Sequence, residues 1–124
     1  MDELDSLLHR QLHMLRLAAA SRVDPDERHE LEHCMLRLAV WVKVDDAEVA
    51  ATVAEFLDEA AACFGTMRYA KGAIFSCGWA AEAFHQWFTD REWAEEAIRE
   101  SDKCAAWYMK TLNSKDTACL PPRS

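Results

Sequence analysis

Four of the five histidines fall as two i,i+4 pairs, His9/His13 and His29/His33. On a helix this spacing sets two imidazoles one turn apart on one face, which is how a helix offers two nitrogen ligands to a metal. A turn near Val23 makes the two carrier helices antiparallel and brings His13 and His33 to about one level, with Glu30 and Glu32 nearby. The candidate metal set is His13, Glu30 and His33. Glu30 and His33 have the Glu-x-x-His spacing of carboxylate–histidine bundles, although a matching motif on a second helix is missing. Periodicity opposes the set. At about 100° per residue, His9 and His13 point well away from Leu4, beside Asp5, Arg10 and Arg16. His29 and His33 lie opposite Leu31 in the same way. Such histidines are expected in water, and no cofactor is expected.

The elements that would carry these residues are helices. The 124 residues hold three Gly and three Pro, too few for the closely spaced turns of a β-sandwich. Alanine is abundant, which favours helix. A first helix from about Asp2 to Ser21 has a core stripe of Leu4, Leu8, Leu15, Ala18 and Ala19. Asp24-Pro25 reads as an N-cap followed by Pro at the first helical position. The second helix follows to about Val44, on Leu31, Met35, Leu38 and Val42. Asp45-Asp46 opens a third, with Val49, Val53, Phe56 and Ala60 as its core stripe and Leu57, Cys63 and Phe64 beside it. Gly65 is expected at its C′ position and Thr66 as the next N-cap. The fourth helix, Met67 to Phe88, is apolar or small nearly all round and belongs in the middle of the domain. Thr89-Asp90 caps the fifth, which runs to Leu112.

Short connections make neighbouring helices antiparallel. The expected fold class is all-α, a four- or five-helix antiparallel bundle with the fourth helix central. Residues 1–112 form the bundle and residues 113–124 a flexible C-terminal tail. The Ala and aromatic spacing from Tyr69 to Tyr108 faintly resembles a tetratricopeptide hairpin, but a single hairpin without that family's pattern is no repeat array.

Composition excludes several classes of function. A formal charge of −8 opposes non-specific binding to nucleic acid or to anionic membranes. No apolar run is long enough for a membrane span. The early acids Asp2, Glu3 and Asp5 do not suit a signal or transit peptide. The five cysteines form no C-x-x-C pair. Reduced thiols and a cytoplasmic location are therefore expected. Cys63, Cys77 and Cys104 read as small buried hydrophobes, and Cys119 as the accessible thiol.

Two features point to partners. From Asp45 to Gly65 there are six acidic residues and no Lys or Arg. Glu48, Glu55, Asp58 and Glu59 gather opposite Val49 and Val53. Glu55 and Glu59 repel at i,i+4, and Asp58 and Glu59 approach the unfavourable end of the helix dipole. A solvated face partly neutralised by arginines on neighbouring helices is one reading, and a docking surface for a basic protein is the other. Trp87 and Trp93, two of five tryptophans, flank the Thr89-Asp90 turn, as part of an aromatic core or as an anchor for a protein partner. A second stripe of His29, His33, Leu36, Val40 and Val44 suits a homodimer through the first two helices.

Arg28-His29-x-x-x-His33 resembles the R-x(4–6)-H motif of HEPN ribonucleases, which are small all-α dimers. The resemblance covers six residues. It implies Arg28 and His33 meeting across a dimer on an RNA phosphodiester. The residues together favour a small acidic protein-binding module over an enzyme: an adapter, inhibitor, immunity or regulatory protein. Its contacts would be Glu48, Glu55, Asp58, Glu59, Trp87 and Trp93. The metal-binding bundle and the HEPN-like ribonuclease are the alternatives.

Overall fold

The computed structural model describes residues 3–41 and 43–118, with side chains described as far as Asn113. Five helices run in order: α1 (Glu3–Ser21), α2 (Pro25–Ala39), α3 (Ala47–Phe64), α4 (Lys71–Gln86) and α5 (Arg91–Ala118). There is no strand among the described residues. The expected all-α bundle is the observed one. α4 lies at its centre, packed mainly on α3 and α5 and also on α1.

Three helix starts follow from aspartates that give a carboxylate oxygen to an otherwise unpaired amide. Asp24 Oδ1 accepts from the Asp26 amide at 2.9 Å, with Pro25 in the first turn. Asp46 Oδ1 accepts from the Val49 amide at 2.9 Å. Asp90 Oδ1 accepts from the Trp93 amide at 3.1 Å.

Other boundaries depart from the sequence-based expectation. α2 ends at Ala39, five residues before Val44. The β-branched residues after it are weak helix formers. Asp5 Oδ1 accepts the Val44 amide at 3.0 Å, and Val44 is buried. The stripe from His29 to Val44 is thus broken, and Val42 lies outside the described residues. Gly65 does not take a left-handed C′ conformation; its φ is −63°. The Thr66 hydroxyl donates back to the Cys63 carbonyl at 2.8 Å, so it closes α3 and does not open α4. The chain reverses at Tyr69, whose φ of 59° is the one positive value outside glycine among the described residues. A left-handed L-residue costs roughly 1–2 kcal/mol. α4 then starts at Lys71 after Ala70, which provides no side-chain cap. α5 continues past Leu112 to Ala118, and residues 119–124, including Cys119, lie outside the described residues.

The core runs through all five helices. Leu4, Leu8, Leu15, Leu31, Leu57, Phe64, Phe84 and Tyr108 are all closed to solvent. Burial of one large apolar side chain contributes roughly 1.5–3 kcal/mol. Gly72 sets the spacing of α4 and α5. A Cβ there would come to 3.0 Å from the Cys104 carbonyl oxygen and from Tyr108 backbone nitrogen and Cβ.

Candidate functional site

The outer face of α3 carries the acidic cluster read from the sequence. Glu48, Glu55, Asp58 and Glu59 are all exposed. Glu59 is neutralised by an ion pair with Arg37 of α2. Arg37 also lies 5.9 Å from the centre of the Phe56 ring, so its place is fixed by the α2–α3 seam. Glu48, Glu55 and Asp58 form no ion pair among the described residues. The i,i+3 pair Glu55/Asp58 is therefore left uncompensated, whereas the Glu55/Glu59 repulsion is eased by Arg37.

The two tryptophans beside the Thr89-Asp90 turn do not make one corner. Trp87 is buried, with the Arg91 guanidinium 3.7 Å above its ring and the Arg91 Nε–H donating to the Trp87 carbonyl at 3.1 Å. This cation–π lid removes Trp87 from the set of accessible anchors. Trp93 is 40% exposed and belongs to another group. Its ring meets Trp79 edge-on, centroids 5.8 Å apart, and its indole N–H donates to Glu82 Oε2 at 2.7 Å.

Around this pair lies a shallow apolar groove of about 520 Å³. Its floor is the solvent-facing stripe of α4: Ile74, Phe75, Gly78, Trp79 and Glu82. Trp93 of α5 forms one wall, and Ala61 of α3 reaches it from the other side. Phe75 is 47% exposed. Sequence reasoning grouped Trp87 with Trp93 by proximity in the chain. The signal for the true group was the spacing of Phe75, Trp79 and Glu82, four and then three residues apart on one face of α4.

The histidines separate into two places. His9 and His13 line a groove between α1 and α5 with Ala105, Ala106 and Met109, beside the two-pronged pair of Arg10 and Asp102 at 2.9 and 3.2 Å. His33 and Glu30 line a different groove, between α2 and α3. His13, Glu30 and His33 are thus not brought together. No group of three or more His, Cys, Asp or Glu is placed to hold a metal ion among the described residues. All four paired histidines are exposed, as their periodicity implied.

The α2–α3 groove also holds Cys34 and Cys63. Both thiols line this groove, and the Cys63 thiol donates to Glu30 Oε1 at 3.7 Å. Burial, then the neighbouring Cys34 and Glu30, pushes the Cys63 thiol up to about 12. Burial likewise raises Cys34. Cys77, deep in the core, is pushed up further by the same cause. Thiols held protonated in this way are poor nucleophiles at neutral pH.

Arg28 is engaged in structure. Its guanidinium donates to the Arg22 carbonyl at 2.8 Å, tying the start of α2 to the end of α1. Four residues separate Arg28 from His33, the two side chains form no hydrogen bond with each other, and both are exposed.

Two buried polar groups escaped the sequence reading. Arg22 is only 5% exposed, and its guanidinium donates to the Arg68 carbonyl at 3.2 Å and to the Tyr108 hydroxyl at 3.1 Å, with Glu27 Oε1 at 3.9 Å. Tyr108 stacks edge-on against Phe64. Gln11 lies on the core side of α1 and donates to the Ser76 and Ser101 hydroxyls at 2.9 and 3.2 Å. The two serines bond each other's backbone carbonyl at 2.9 Å, which stitches α4 to α5. These networks fix helix register, since a buried polar side chain without its partner is costly.

Comparison with protein-family models, with curated proteins and with solved structures finds no match to this chain. No helix among the described residues is long and apolar enough to cross a membrane.

Proposed function

We propose that the chain is a protein-binding module that works through helix surfaces and meets a basic protein at the outer face of α3. The observation that carries this reading is the set Glu48, Glu55 and Asp58. All three are exposed, none is ion-paired among the described residues, and the stretch around them contains no Lys or Arg. Helix stability alone does not select such a set. Like charges at i,i+3 cost a few tenths of a kcal/mol, and Asp58 approaches the negative end of the helix dipole. A partner with clustered Lys or Arg would offset that cost and be steered toward the face. An adapter, inhibitor, immunity or regulatory protein would all use a surface of this kind. The test is charge reversal at Glu55, Asp58 and Glu59. Partner binding should weaken and lose most of its salt dependence, whereas unchanged affinity and salt slope would remove the site.

A second, compatible reading is a homodimer through α1 and α2. It is favoured by Leu36 on α2 and Val40 just past its end, which are 64% and 69% exposed. Val40→Glu should then convert a dimer in solution to a monomer. A chain that is monomeric at the outset removes this reading.

A further inference from the structure

The three glycines stand in different positions, and the difference bears on the α4 groove. Gly72 is required by the fold, because any Cβ would press on the α5 backbone at 3.0 Å. Gly78 is not: a Cβ there would meet nothing within 4 Å. A glycine inside a helix destabilises it by roughly 0.5–1 kcal/mol relative to alanine. Packing within this chain gives no return for that cost at Gly78. Its surroundings suggest what does. Gly78 sits one turn from both Ile74 and Glu82, next to Trp79, in the floor of a groove walled by half-exposed aromatic rings. The missing side chain leaves open space in the groove floor, which an incoming side chain or a close helix backbone would fill.

The charges around this space indicate what enters it. Glu82 lies within the groove and keeps Oε1 for a further donor while Oε2 holds Trp93. Asp58 is one turn before Ala61 on the α3 side, and Glu55 one turn before that. The opposite end of the α4 stripe carries Lys71, one turn before Phe75. A second copy of this chain, itself of net charge −8, is less suited than a basic partner to a groove edged by carboxylates.

We infer that this groove is the seat of one amphipathic helix of the basic partner, with a large apolar side chain placed over Gly78 and Lys or Arg reaching Glu82 and Asp58. The inference rests on the protein-binding reading above and names the partner's chemistry. Helix-in-groove recognition uses apolar anchors at i, i+3 or i+4, and i+7, which is the reach of the stripe from Ile74 to Glu82.

The test uses the full chain as bait for a display library of random peptides long enough for several helical turns. Wild type, Gly78→Leu and the charge-reversed Glu55→Lys/Asp58→Lys/Glu59→Lys variant are compared. Gly78→Leu should fold, because its Cβ has open space, and helical circular dichroism verifies this. The expected result is enrichment of peptides with helical apolar spacing and flanking Lys or Arg, whose binding falls at least about tenfold in Gly78→Leu. Peptides bound equally by Gly78→Leu but lost by the charge-reversed variant overturn the groove and leave the α3 reading standing. A wild-type dimer that dissociates in Gly78→Leu overturns it in favour of a second copy. A library with no enriched binder overturns the groove and leaves the α3 face to its own charge-reversal test.

Discussion

The indole N–H of Trp93 donates to Glu82 Oε2 at 2.7 Å, which ties the first turn of α5 to the exposed face of α4. The bond holds the Trp93 ring edge-on to Trp79 and keeps it off the groove floor at Gly78. Removing the carboxylate in Glu82→Ala should release the ring. The Trp93 indole N–H resonance should then shift and exchange faster with water, its neighbour Trp79 should shift with it, and Trp41, Trp87 and Trp107 should be unchanged. Stability should fall by only about 0.5–1.5 kcal/mol, the usual net value of one hydrogen bond. An unmoved Trp93 resonance would show that the bond does not form in solution.

The two α4 glycines should respond to alanine in opposite directions. Gly72→Ala forces a methyl against the α5 backbone and should destabilise by roughly 1–3 kcal/mol. Gly78→Ala meets open space and should stabilise by roughly 0.5–1 kcal/mol. Urea denaturation of the two variants measures both. Equal effects would mean that α4 and α5 do not approach as described.

The buried Arg22 depends on its partners. Tyr108→Phe removes the hydroxyl that accepts its Nη2 proton and leaves a charged donor short of an acceptor in the core. A loss of about 1–3 kcal/mol is expected in chemical denaturation. A neutral result would indicate that Arg22 reaches water.

The buried thiols couple folding to alkaline pH. Burial holds Cys63 at about 12 and raises Cys77 above its ordinary value of 9.0. In the unfolded chain these thiols lose their protons near 9.0, while the folded chain keeps them. The unfolded state thus binds fewer protons above that point, and stability falls as pH rises from about 9 toward 12. Melting temperature should be level from neutral pH to about 8 and decline beyond it, and Cys77→Ala should flatten part of the decline. Melting curves across that range would contradict the burial of these thiols if Cys77→Ala left the slope intact.

The residues that were legible in the sequence are those whose role is settled within one turn. Asp24, Asp46 and Asp90 cap the helices that follow them because an N-cap bond spans two or three residues. The exposure of His9, His13, His29 and His33 follows from angular position alone. Gln11 and Arg22 were not legible, since their burial depends on Ser76, Ser101, Arg68 and Tyr108, which lie 46 to 90 positions away. The early end of α2 depends likewise on Asp5, 39 positions from the Val44 amide that it captures. Trp87 and Trp93 look alike in the chain, and only the packing of Arg91 and Glu82 tells the buried one from the exposed one.

The outer face of α3 is the surface proposed to meet a basic protein. The most direct measurement is affinity capture from the cells that make this chain, with wild type and the Glu55→Lys/Asp58→Lys/Glu59→Lys variant as parallel baits at low and high salt. The predicted result is a protein retained by wild type at low salt, released at high salt and missing from the variant. A partner held equally by both baits, with the same salt response, would contradict the claim.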